Sequence, residues 1–154
     1  MPTSKFELYH GAVLTQVVRN PGLSLKLFER TGEHGWSEYE VSDNHHAYCL
    51  FIKTTSQVTK GRKGRHYSNF TFSAADVEQL RNTPGNVLFC LVCAEKEICT
   101  LEWEDINALQ IVRNREACNV CVSWTKGSEL HVKSKFAELS YSIPRNKLRT
   151  FSWT

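Results

Sequence analysis

Ala47-Tyr48-Cys49-Leu50-Phe51-Ile52 is an unbroken apolar run that stops at Lys53. A strand with one face in water alternates apolar and polar side chains; a strand covered on both faces does not. The run therefore predicts a central strand with material packed above and below it. Val87-Leu88-Phe89-Cys90-Leu91-Val92 is a second run of the same kind. Between the two, Tyr67 to Phe72 reads as a short strand, and Ser73 caps a helix that includes Val77 and Leu80.

Upstream, Ser4 and Glu7 form a capping box, and Phe6, Tyr9, Val13 and Val17 recur at helical steps until Pro21-Gly22. Leu23 to Arg30 alternates as a strand, and Gly32 and Gly35 bracket a turn. Trp36 to Val41 alternates again, with Tyr39 and Val41 on one face and Glu38 and Glu40 on the other. Asp43-Asn44-His45-His46 is a polar turn. Downstream, Ile98–Leu101 follows an Ala94–Glu97 turn, and a short acidic helix spans Glu102 to Leu109. Antiparallel strands are then expected at Asn119–Trp124, Leu130–Ser134 and Ala137–Ile143, with a turn at Lys126-Gly127-Ser128. With 154 residues, 41% of them hydrophobic, and no repeat or linker, the chain suits one domain. The expected fold is a single α/β domain over residues 1–154. It has a mixed central sheet flanked by helices, in αβββ-αβ order, and a β-rich C-terminal addition.

No apolar stretch approaches the ~20 residues of a membrane span, and MPTSKFELYH lacks the features of a secretory signal. A cytoplasmic protein without membrane contact is expected. Its six cysteines are then reduced, small hydrophobes rather than disulfides. Cys90-x-x-Cys93 and Cys118-x-x-Cys121 stand 24 residues apart, close to a zinc spacing. Against that reading, positions three apart on a strand face opposite ways. There is neither a nucleophile elbow nor a phosphate-cradling glycine loop.

The net charge of +3 is unevenly spread. Asn44 to Ala75 contains no Asp or Glu, while Lys53, Lys60, Arg62, Lys63 and Arg65 all fall within it. Residues 130–154 carry five cations against Glu138 alone, and the remaining segments are acidic. A local cationic patch attracts a polyanion better than the total suggests. The loop Thr59–Arg65 places Lys60, Arg62, Lys63 and Arg65 around two glycines, which suits a phosphate backbone. Tyr67, Phe70 and Trp124 would offer stacking surfaces if exposed.

Asp43 closes one strand and Lys53 ends the next. A hairpin between them is expected to bring the two side chains to neighbouring positions at the sheet's end. A carboxylate there suits Mg²⁺, and a lysine beside it orients an attacking water or steadies charge on a phosphate. Phosphodiester hydrolysis needs that pair.

This order of elements over roughly residues 5–93, with Asp43 on the second strand and Lys53 on the third, resembles the PD-(D/E)XK nuclease superfamily. A narrower likeness is to small bacterial proteins with a Tyr-x-Ile-Asn-Asp turn, an apolar strand ending in Ile-Lys, and a Phe-Thr-Phe strand. The matching residues here are Tyr39-Glu40-Val41-Ser42-Asp43, Leu50-Phe51-Ile52-Lys53 and Phe70-Thr71-Phe72. The superfamily resemblance implies a nucleic-acid-associated, nuclease-like protein, with Mg²⁺ held by Asp43 and Glu40 and assisted by Lys53 and Glu38. DNA or RNA would run along Lys60, Arg62, Lys63 and Arg65. The superfamily's second acid, two residues before the lysine, is replaced by Phe51. Glu38, Glu40 or Glu7 would have to supply that carboxylate. The alternative is a non-catalytic module that binds protein or nucleic acid on the same scaffold, and Phe51 favours it.

Overall fold

The structure, a computed structural model, describes residues 5–19, 24–31, 37–42, 47–82 and 86–151. The elements run in the order α1 (Lys5–Val18), β1 (Ser24–Thr31), β2 (Ser37–Ser42), β3 (Ala47–Thr55), β4 (Thr59–Lys60), β5 (His66–Phe72), α2 (Ala74–Arg81) and β6 (Asn86–Cys93). They continue with β7 (Glu97–Glu102), α3 (Trp103–Ala108), β8 (Cys118–Trp124), β9 (His131–Ser134) and α4 (Lys147–Thr150). Ser4 and the turns at Pro21-Gly22, Gly32–Gly35, Asp43–His46 and Pro84-Gly85 lie outside the described residues.

The two apolar runs pair with each other. β3 and β6 lie parallel, with Leu50 opposite Leu88 and Ile52 opposite Cys90. They form the middle of a five-stranded sheet of order β1-β2-β3-β6-β7, whose other neighbours are antiparallel. On one face Leu50, Ile52, Leu88, Cys90 and Val92 meet Tyr9, Val13 and Val17 of α1 and Leu148 of α4. On the other, Phe51, Phe89, Leu91 and Cys93 meet α2 and the inner face of a second sheet. That sheet has the order β4-β5-β8-β9 and is antiparallel throughout. The fold is a single α/β domain with a mixed central sheet flanked by helices and a β-rich C-terminal sheet addition. β5 precedes α2 in the chain but pairs with the C-terminal strands, so the second sheet straddles the sequence.

Three local expectations change. β3 does not stop at Lys53 but continues to Thr55, because Lys53 stays paired with Leu91 of β6. The basic segment is a hairpin arm rather than a free loop, since Thr59 and Lys60 pair with Tyr67 and His66. Residues 137–143 do not make a continuous strand. They touch the second sheet only at the bridges Leu130↔Ile143 and Lys133↔Glu138, after a turn closed by Ser134 Oγ on the amides of Phe136 and Ala137.

The helix starts do more than begin helices. At α2 the Ser73 hydroxyl accepts from the Asp76 amide, and Asp76 Oδ2 accepts from the Ser73 amide, each at 3.1 Å. At α3 Asp105 Oδ2 accepts from the Glu102 amide at 2.8 Å. Asp105 also receives Lys147 Nζ at 3.3 Å and the Tyr141 hydroxyl, which ties the C-terminal segment down. Burial works against the Lys147 charge, but Glu102 and Asp105 outweigh it and raise its pKa. Burial and the bond to Asp105 push the Tyr141 hydroxyl up to about 12.

Between the sheets Phe89 stacks on Phe51, with ring centroids 5.3 Å apart, and meets Phe72 edge-on at 5.9 Å. Phe89→Ala is expected to lower unfolding free energy by about 3–5 kcal/mol in urea titrations. A loss under about 1 kcal/mol would mean that this ring does not sit at the centre of the core.

Candidate functional site

Strand register decides which described carboxylates of β2 stand near Lys53. In the β2–β3 hairpin Ser42 pairs with Ala47 and Ser37 with Ile52. Asp43 lies outside the described residues, and Ser42, the last described residue of β2, stands at the Ala47 end of β3. Lys53 is six residues further along β3, about 20 Å at the rise of an extended strand. The register therefore sets the described end of β2, Ser42, far from Lys53. An antiparallel hairpin joins the end of one strand to the start of the next, and Lys53 stands at the far end.

Glu38 is the described β2 acid near that far end. Glu38 pairs with Phe51 and Glu40 with Cys49, so both carboxylates lie on the Phe51 and Lys53 face of the sheet. Against this face α2 lays Asp76 and Gln79. Lys53 Nζ lies 3.5 Å from Asp76 Oδ2, and both side chains are 1% exposed. The ammonium also sits 5.1 Å from the centre of the Phe72 ring. Glu38 is 7% exposed, and its Oε2 accepts from Gln79 Nε2 at 3.1 Å. The sequence reading missed Asp76 and Gln79 as partners. The available signal was Ser73-x-x-Asp76, a capping-box spacing that fixes an acid at the helix start.

This cluster is enclosed. Phe51, Phe72 and Phe89 are buried around it, and Lys53 directs its charge to a helix acid rather than to an open surface. Asp43, the first Mg²⁺ ligand that the resemblance implied, lies outside the described residues. Among the described residues no group of three or more His, Cys, Asp and Glu converges to hold a metal ion. Asp76 is shared between Ser73 and Lys53, and Glu38 is bonded to Gln79. No catalytic step through a metal follows from this arrangement.

The basic segment lies elsewhere. Lys60, Arg62, Lys63 and Arg65 are exposed at the His66 end of β5. Lys53 sits over Phe72, at the opposite end of that strand, about 20 Å away at strand rise. A tight turn, Arg62–Gly64, forms the tip, closed by Gly61 N–H to Arg65 O at 2.7 Å and Arg65 N–H to Arg62 O at 3.1 Å. Lys63 (φ 57) and Gly64 (φ 70) are both left-handed, a conformation glycine tolerates and lysine adopts at a cost of roughly 1–2 kcal/mol. A side chain at Gly61 would come within 3.2 Å of the Tyr67 ring. Arg65 Nη2 donates to Ser123 Oγ at 2.7 Å, fastening the tip to β8.

The outer face of the second sheet extends this surface. Register brings Tyr67 beside Ser123, Ser123 beside His131, and Cys121 beside Lys133. Of the three candidate stacking aromatics, Phe70 and Trp124 are buried between the sheets, Trp124 stacked on His66 at 5.8 Å. Tyr67 alone of the three is partly exposed.

The cysteines follow strand parity. Cys90 faces α1 while Cys93 faces the second sheet, so their sulfurs diverge. Cys118 lies in the inter-sheet core, whereas Cys121 belongs to the opposite parity on β8. Burial pushes the Cys90 and Cys93 thiols up to about 12, which disfavours the thiolate that zinc requires. No zinc site is built from these pairs.

Comparison with family models, with curated proteins and with solved structures finds no match to this chain. The site is therefore judged on its geometry.

Removing one partner of a buried ion pair strands the other charge and typically costs about 3–5 kcal/mol. Asp76→Ala is expected to destabilise the protein by about that amount. Adding Lys53→Met should return part of the loss in a double-mutant cycle read by urea unfolding. Strictly additive losses would show that the two charges do not act as a unit.

Proposed function

We propose that this protein is a non-catalytic nucleic-acid-binding module, with the Lys60–Arg65 hairpin tip and the adjoining outer face of the second sheet as its contact surface. The observation that carries the reading is the display of Lys60, Arg62, Lys63 and Arg65 on a closed turn, within a run of sequence free of acids. A rigid cluster of cations binds phosphates by releasing counterions, without reading sequence. Fixing the turn in advance lowers the ordering cost of binding. Lys133, directly opposite Cys121, adds a cation to that outer face beside Glu138. Lys53 contributes nothing to it, being enclosed with Asp76. Enclosure of Lys53 also favours a binding module over the metal-dependent nuclease that the resemblance implied. A cytoplasmic location accords with such a ligand and with reduced cysteines. Among the described residues no helix is long and apolar enough to cross a membrane.

The test is fluorescence anisotropy with labelled single-stranded RNA and duplex DNA over a range of salt. Binding should weaken with salt at a slope near −0.9 per phosphate contacted on duplex DNA and about −0.7 on single strands. Arg62→Glu/Lys63→Glu should weaken binding to both ligands and reduce the magnitude of the slope by about 2. Salt-independent binding, or binding unchanged in the double variant, overturns the reading. Cleavage in Mg²⁺ or Mn²⁺ that Asp43→Ala abolishes would overturn it in favour of the nuclease.

A further inference from the structure

A cleft of about 690 Å³ opens on the α1 side of the first sheet, the face turned away from the second sheet. Small-molecule clefts fall in the range of about 300–1,000 Å³ and combine an apolar lining with a few polar groups. The apolar lining here comes from Leu8 and Ala12 of α1, Val92 of β6, Ala94 of the following turn and Ile98 of β7. Leu8 is 59% exposed, and it shares with Tyr141 the position of a large hydrophobic left open among the described residues. Tyr141 has its hydroxyl on Asp105, whereas Leu8 is explained by its place on the cleft wall.

The charged groups around this lining are not equivalent. Glu97 is paired with Arg145 at 2.9 Å, and the Arg145 guanidinium also donates to Thr125 O at 2.6 Å. Glu95 faces the Tyr9 hydroxyl, whose pKa is raised by burial first and by Glu95 second. Both acids thus have partners within the protein. Lys96 of the β6–β7 turn and Arg149 of α4 both line the cleft and are exposed, and neither makes an ion pair among the described residues. Ala94 holds a left-handed conformation (φ 51), and the Lys96 amide donates to Cys93 O at 3.0 Å, so the turn that carries Lys96 is fixed.

We infer that this cleft binds a small amphipathic anion, its apolar chain lying over Leu8, Ala12 and Ile98 and its carboxylate directed to Lys96 and Arg149. The apolar lining supplies affinity, and the cationic rim selects the sign of the head group. The site is separate from the nucleic-acid surface, which lies beyond the other face of the first sheet, so each stands or falls by itself.

Decanoate, decanol and decylamine, titrated separately into the full chain and followed by ¹H–¹⁵N spectra, test this. Decanoate should bind more tightly than the other two and shift amides in residues 8–16, 92–98 and 145–149. Ala12→Trp, at an exposed α1 position, should abolish decanoate binding by filling the lining. Arg149→Glu and Lys96→Glu, both surface changes, should each weaken decanoate by about fivefold, the worth of one exposed ion pair, and leave decanol unchanged. Equal binding of the three probes, shifts outside these segments, or decanoate binding that survives both charge reversals overturns the inference.

Discussion

The parallel pairing of β3 with β6 constrains everything around it. Both strands are apolar on both faces, so neither can lie on the surface of anything. One layer must cover each side, and the chain supplies α1 with α4 on one and α2 with the second sheet on the other. The parallel pairing also forces a long crossover, since the chain must return to the starting end of the sheet before β6 can begin. That crossover carries β4, the basic tip, β5 and α2. The surface proposed to meet nucleic acid is thus built on the connection that the core makes obligatory.

Two acids at helix starts hold distant parts of the chain. Asp76 opens α2 and receives Lys53 from the middle of the sheet; Asp105 opens α3 and receives Lys147 from α4. A carboxylate at a helix N-terminus is already favoured by the exposed amides and by the helix dipole. Giving the same group a lysine partner adds a long-range tie, at Asp76 with a second buried charge that the pair must compensate. The two ties differ in setting. The Lys53 pair is enclosed, so its value depends on both partners being present, whereas Lys147 is half-buried and shares Glu102 as a second acid.

The layered fold was legible in the sequence because it rests on local pattern. The apolar runs at Ala47–Ile52 and Val87–Val92 and the cap at Ser73 each report their surroundings within a few residues, whereas the alternation of Glu38 and Glu40 with Tyr39 and Val41 marks a strand but not the burial of Glu38. The site was less legible because it rests on register and on partners far away in sequence. Lys53 reads as a strand end, since a lysine after an apolar run usually marks the edge of burial. Its partner stands 23 residues downstream, and sequence alone does not show that the two meet. Hairpin register, which sets Lys53 at the end of β3 away from the Ser42–Ala47 pair, is likewise not written in local pattern. The four cations of the hairpin were legible as a patch because charge, unlike register, is read directly from composition. The burial of Phe70 and Trp124 was not, since it needed the second sheet to be placed first.

The brevity of β4 has a consequence for how copies of this protein meet. An outer strand with a long row of unpaired amides and carbonyls invites another chain to extend the sheet, the route by which β proteins form fibres. Here the bordering strand is two residues long, bears Lys60, and gives way at once to a turn carrying Arg62 and Lys63. A neighbouring molecule approaching that border meets like charge and a kinked backbone before it meets a usable ladder. The residues that disfavour filament growth from β4 are the same few that are proposed to meet a polyanion.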